Sequence, residues 1–151
     1  MRKFFKISIL ASFASLFFLA AGCQAQQEAT GNSPATTAAP AKAQGVQTIG
    51  PVEAEKMMAE NASLQILDVR TPEEVALGTI KGAKVINWFD ADFASRAETT
   101  FDKALPIVVY CKAGSRSSQA SEKLKEKGFT NIYNLQGGMM KWEGEGHPVQ
   151  K

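Results

Sequence analysis

The segment Ile107-Val108-Val109-Tyr110-Cys111-Lys112-Ala113-Gly114-Ser115-Arg116-Ser117 joins an uninterrupted apolar run to a small, basic, glycine-containing turn. The run follows Pro106 and is rich in β-branched side chains. A short continuous run of that kind suits a central strand of a parallel sheet, buried on both faces. Downstream, Ser115 to Lys127 reads as a helix, with Ala120 and Leu124 on its core side and Gly128 as its stop. Cys111 therefore stands where a buried strand hands over to a helix.

The same alternation extends outward in both directions. Val46 to Ile49 is a short strand, and Pro51 opens a helix that runs to about Asn61. Leu64 to Leu67 is a strand ending at Asp68. Thr71-Pro72-Glu73-Glu74 starts a helix, with Thr as cap, Pro at the first position and Glu three residues after the cap, and Gly78 stops it. Lys84 to Asn87 is another strand. Phe89, Phe93, Ala97 and Phe101 recur every four residues, which predicts one buried helical face. Asn131 to Leu135 is the last strand. Gly137-Gly138 then turns into a short helix whose Met139, Met140 and Trp142 are expected to pack on the sheet. Strands alternating with helices predict an α/β fold: a parallel sheet of about five strands covered by helices on both faces.

In such sheets ligands bind beyond the carboxyl ends of the strands. Asp68, Cys111 and Gly137-Gly138 all fall there. Ala113, Gly114 and Ser115 let the backbone curl, so that N–H groups point inward at a helix N-terminus. Lys112 and Arg116 add full positive charges. That environment stabilises a thiolate and attracts an anion, which suits Cys111 as a nucleophile of lowered pKa.

Four segments, in order, resemble signatures of the rhodanese family. Cys111 to Ser117 resembles its active-site loop, C-x-x-G-x-R-S. Leu67-Asp68-Val69-Arg70-Thr71-Pro72-Glu73-Glu74 resembles its aspartate-containing N-terminal signature. Gly78-Thr79-Ile80-Lys81-Gly82-Ala83 resembles G-H-I-x-G-A, with Thr79 where many members carry His at a peripheral position. Gly137-Gly138-Met139-Met140-Lys141-Trp142 resembles G-G-x-x-x-W. The resemblance implies a rhodanese-like three-layer sandwich and a thiosulfate sulfurtransferase. Cys111 would take sulfane sulfur from an anionic donor such as thiosulfate and pass it to a thiol or cyanide. The persulfide would sit in the cradle formed by Lys112, Ala113, Gly114, Ser115, Arg116 and Ser117. Lys112 is expected to hold the donor, and Arg116 either to do the same or to brace the loop. Asp68 and Arg70 are expected to fix loop geometry. The alternative is a persulfide carrier that delivers sulfur to a protein partner with little turnover of its own. Arg116 is the sixth residue counted from Cys111. Related phosphatases and arsenate reductases have one residue more, so the short loop argues against that chemistry.

The rest of the composition narrows the function. Arg2, Lys3 and Lys6 precede an apolar run from Ile7 to Ala21, the order of a secretory signal over residues 1 to about 22. Leu19-Ala20-Ala21-Gly22-Cys23 resembles a bacterial lipoprotein signal, with Ala20 where a large aliphatic residue is usual. That resemblance implies acylation of Cys23 and a membrane-anchored periplasmic protein. Gln24 after the cysteine favours the outer membrane, and ordinary cleavage near Ala25 is the alternative. Residues 23–45 contain no Val, Ile, Leu or aromatic residue and are expected to form a disordered tether, leaving 46–151 as the domain. Without the three basic residues of the signal, 14 of the 17 Lys and Arg remain against 15 Asp and Glu, so no nucleic-acid footprint is expected. One His and two Cys are too few for a zinc site, and no cofactor is expected. His147 is expected on the surface, as are Glu122, Lys125, Glu126 and Lys127 on a solvated helix face.

Overall fold

The computed structural model describes residues 45–151. The signal, Cys23 and the tether up to residue 44 lie outside the described residues. In chain order the elements are β1 (Gly45–Ile49), α1 (Pro51–Glu60), β2 (Gln65–Asp68), α2 (Pro72–Val75) and β3 (Lys84–Val85). There follow α3 (Phe93–Thr100), β4 (Ile107–Tyr110), α4 (Ser115–Glu126), β5 (Asn131–Leu135) and α5 (Gly138–Gly144). Gly45, assigned to the tether from sequence, is the first residue of β1, where its N–H donates to the Thr130 carbonyl.

The strands form one sheet in the order β1-β5-β4-β2-β3, and every pairing is parallel. β4 is central and fully buried. Its alternate side chains feed two cores. Ile107 and Val109 face α3 and α4, where they meet Leu67, Phe93, Ala97, Ala120 and Leu124. Val108 and Tyr110 face α1 and α5, where they meet Ala54, Ile66, Met139 and Trp142. The molecule is thus the expected sandwich of helices, sheet and helices. Burying each large apolar side chain of β4 contributes about 1.5–3 kcal/mol, which is why the run Ile107–Tyr110 dominates the architecture.

Four expectations need correction. Phe89 does not share the buried face of Phe93, Ala97 and Phe101; it is 68% exposed. The side chain of Asn87 explains this, because its Oδ1 accepts from the Phe89 N–H and its Nδ2 donates to Asp90. That turn ends β3 at Val85, short of Asn87, and delays α3 until Phe93. Met140 points outward at 59% exposure, whereas Met139 and Trp142 are buried as expected. His147 is not a surface residue: its side chain is only 9% exposed. It lies over Trp142 with ring centroids 4.6 Å apart, and its Nδ1 is 2.9 Å from Glu55 Oε2. Thr79 is not peripheral. It pairs in an isolated antiparallel bridge with Gln150 and enters the buried network around Asp68.

Candidate active site

The parallel sheet brings the carboxyl ends of β2, β4 and β5 together, so Asp68, Cys111 and Gly137-Gly138 converge as the sequence implied. Cys111 closes the buried end of β4 and is itself only 1% exposed. It is a free thiol. The loop curls at Gly114, whose φ of +102° is a left-handed conformation that glycine adopts without strain. The curl aims the Gly114 N–H at Cys111 Sγ, 3.1 Å away. The Ser117 hydroxyl donates to the Gly114 carbonyl at 3.0 Å and holds the curl against the first turn of α4.

Burial alone would raise the Cys111 pKa, but the N–H and hydroxyl of Ser117 and the N–H groups of Gly114 and Ala113 outweigh it. The net shift is downward from the ordinary 9.0. Of these donors, the Gly114 N–H alone makes a hydrogen bond to sulfur in this state; the Ser117 hydroxyl has one proton and gives it to Gly114. Ser115 is exposed and starts α4, and its carbonyl accepts from Gln119.

The two basic residues of the loop have different environments. Arg116 makes a double hydrogen bond to Glu74, with both N···O distances 2.7 Å. Its pair with Glu74 raises the Arg116 pKa and holds the Glu74 carboxyl down at about 2. Glu74 Oε2 also accepts from the Thr71 N–H, so the start of α2 is tied to the wall of the cradle. Arg116 is therefore engaged by Glu74 at the edge of the loop. Lys112 is exposed and joins none of the ion pairs among the described residues.

Asp68 and Arg70 form a buried pair at the carboxyl end of β2. Arg70 reaches both carboxylate oxygens, with Nη2 to Oδ2 at 2.7 Å. Its remaining donors go to the carbonyls of Glu74 and Gly78. Thr79 Oγ1 lies 2.7 Å from the Tyr110 hydroxyl and 3.3 Å from Asp68 Oδ2. The Ile80 N–H also donates to that hydroxyl. Burial first, and the nearby Asp68 charge second, push the Tyr110 pKa up, so its hydroxyl stays neutral and structural.

Sequence reasoning missed Glu74 as a site residue, and it placed Gly137-Gly138 at the ligand-binding end of the sheet without showing what the pair touches. Gly138 is the closest backbone approach to the loop: a Cβ there would overlap the Cys111 carbonyl oxygen and the Lys112 carbonyl group. That approach lets the Met139 N–H donate to Cys111 O at 2.8 Å and the Met140 N–H to Lys112 O at 3.0 Å. The glycine pair was visible in the sequence; the loop it touches, 27 positions away as 138 less 111, was not.

The sequence and the fold that carry this loop are shared with known proteins. Residues 50–145 match the profile described as Rhodanese-like domain. The chain belongs to the rhodanese-like family. It is similar to YtwF of Bacillus subtilis, with 42% identity over 94 residues, 62% of this chain and 86% of that protein. It is similar to the thiosulfate sulfurtransferase GlpE of Pseudomonas aeruginosa, with 36% identity over 97 residues, 64% of this chain and 83% of that protein. Among solved structures it resembles a rhodanese-like domain protein from Staphylococcus aureus, with a TM-score of 0.59 and 32% identity over 70% of this chain and 99% of that one.

Proposed function

We propose that this protein is a sulfurtransferase that carries sulfane sulfur on Cys111. The observation that supports the reading best is the Gly114 N–H held 3.1 Å from Sγ, in a loop that lowers the thiol pKa. The Cys111 thiolate attacks the outer sulfur of thiosulfate. The S–S bond of the donor breaks, its electron pair leaves with sulfite, and Cys111 becomes a persulfide anion. The N–H groups of the loop stabilise the negative charge on sulfur before and after transfer. Lys112 is the unpaired cation of the loop and attracts the dianionic donor. An acceptor thiolate or cyanide then attacks the terminal sulfur, the Sγ–S bond breaks, and the thiolate is regenerated. Glu74, Asp68 and Arg70 hold geometry and exchange no proton.

The test is the intact mass of the purified protein before and after thiosulfate. The expected result is a gain of one sulfur atom that a reducing thiol removes and that Cys111→Ser abolishes. No gain, with Cys111 still open to alkylation, would rule out thiosulfate as the donor. A full gain in Cys111→Ser would end the reading altogether.

The export reading is also ours: Cys23 is acylated and tethers the domain outside the cytoplasm. The basic start, the apolar run and Leu19 to Cys23 support it. Palmitate label that enters the wild-type protein in a bacterial host, and not Cys23→Ser, is the expected outcome. Equal labelling, or none, would reject it.

A further inference from the structure

The chain from His147 to Lys151 forms a strap. His147 clasps its start: Nδ1 is 2.9 Å from Glu55 Oε2 on α1, and Nε2 is 3.6 Å from Glu145 Oε2, just past α5. The Trp142 indole N–H donates to the Pro148 carbonyl at 2.9 Å. Val149 packs on the core shared by α1 and α5 and closes on Gly78, where a Cβ would overlap its Cγ1. Gln150 then pairs with Thr79 through two backbone hydrogen bonds, each 2.8 Å.

Thr79 is where the strap meets the buried network. Its Oγ1 lies 2.7 Å from the Tyr110 hydroxyl and 3.3 Å from Asp68 Oδ2. Tyr110 directly precedes Cys111. Asp68 holds Arg70, Arg70 Nη1 donates to the Glu74 carbonyl at 3.1 Å, and the Glu74 carboxylate holds Arg116. Arg116 stands in the first turn of α4, two residues after Gly114, whose N–H meets Cys111 Sγ. Its pKa is raised by Glu74 first and by Cys111 after it, so guanidinium and thiol lie in each other's field. A contiguous network of this kind carries coupling only if some element of it has two states. The strap supplies one. A chain end held by few contacts opens at lower free energy than the core.

We propose that the strap is a positioning device for Cys111. Seated on Thr79, it fixes the hydroxyl between Tyr110 and Asp68, and through Arg70, Glu74 and Arg116 it keeps the loop N–H groups aimed at sulfur. Thr79 and Gln150 touch no substrate; they are positioning residues. The proposal rests on the reading of Cys111 as the sulfur carrier and adds to it a control on the thiol.

The test compares wild type with Thr79→Val, Thr79→Ser, a chain lacking residues 148–151, and that shortened chain with Thr79→Val. Thr79→Val keeps the backbone bridge and removes the hydroxyl; Thr79→Ser keeps both. Three quantities are read: the pH of half-maximal alkylation of Cys111 by iodoacetamide, followed on its tryptic peptide; kcat and KM for thiosulfate with cyanide; and the urea midpoint. Shortening and Thr79→Val are each expected to raise the alkylation midpoint by about 0.5 pH unit, a three-fold smaller thiolate fraction at lower pH. Each should lower kcat several-fold while the thiosulfate KM stays near wild type, because Lys112 is not on the path. Thr79→Ser should match wild type. The combined variant should show no more than the larger single effect, since both changes act through one joint. A wild-type alkylation midpoint and kcat in the shortened chain, beside a lowered urea midpoint, would make the strap merely structural and overturn the proposal. Fully additive effects, or Thr79→Ser no better than Thr79→Val, would overturn it too. Where the shortened chain fails to fold, Gln150→Pro decides, because it deletes only the Gln150 N–H of the bridge. A raised alkylation midpoint there supports the proposal, and a wild-type one rejects it. Alkylation needs no sulfur donor, so a missing mass gain with thiosulfate beside these shifts would fault the sulfur-carrier reading and leave the strap standing.

Discussion

Arg70 and Arg116 each grip a carboxylate with two nitrogens, and both also meet Glu74 of α2, yet they stand in different surroundings. The Arg70 and Asp68 side chains are 5% and 0% exposed, at the carboxyl end of β2. Those of Arg116 and Glu74 are 17% and 23% exposed, at its wall. A buried pair is costly to break, because the partner left behind keeps its charge without water. A half-wet pair is weaker and can be titrated. The site thus has a fixed floor and a softer wall. Its one unpaired cation, Lys112, belongs to neither. An arginine in a loop that follows a buried thiol can thus have both of its terminal nitrogens engaged by a carboxylate of another element.

The largest effect should come from the floor. Asp68→Ala leaves Arg70 buried and unpaired and is expected to lower stability by about 3–5 kcal/mol. Urea unfolding would show it, and a loss below 1 kcal/mol would erase the contrast between the two pairs. At the wall, Glu74→Gln is expected to cost about 1–2 kcal/mol, the scale of a lost charged hydrogen bond tempered by solvent. It should also slow persulfide formation, read as the rate of mass gain.

Acid should separate the pairs further. The Glu74 carboxyl is depressed from 4.5 to about 2 in the folded protein. Its contribution to stability is therefore complete above about pH 4.5 and is lost as the pH falls through about 2. Wild type and Glu74→Gln should converge in stability across that window, as measured by urea midpoints at stepped pH. A constant gap would show that the pair is not what the mutation removes. The smallest effect belongs to Lys112. Lys112→Met is expected to raise the thiosulfate KM several-fold, about 1 kcal/mol, while the unfolding midpoint stays put. A fall in stability instead would make Lys112 a third brace.

The central strand, the loop and the last strand were legible because their signals are local. Ile107 to Tyr110 is apolar throughout, and the strand Asn131–Leu135 has the bounds its pattern indicated. Asp68 and Arg70 entered through the family resemblance, as residues expected to fix loop geometry, and the structure joins them in a buried pair. What failed depended on side chains that redirect the chain or meet across it. The four-residue spacing from Phe89 was real, but Asn87 turned the backbone before the helix began. Met140 follows Met139 in a short helix, where only one of two neighbours can face the sheet. Glu74 was placed correctly as a helix-start residue, and its second role waits on Arg116, 42 positions later. His147 is held by Trp142 and by Glu55 on α1, a contact that no spacing rule encodes.

The sequence contains two tryptophans, and the sheet separates them. Trp142 is buried among the α1 and α5 residues, its indole N–H on the Pro148 carbonyl, while half-buried Trp88 stands edge-on to Phe93 against the other layer. Each face of the sandwich therefore carries its own fluorophore. Trp88→Phe and Trp142→Phe would give two single-emitter proteins, in which the melting of one helical layer can be watched optically without the other.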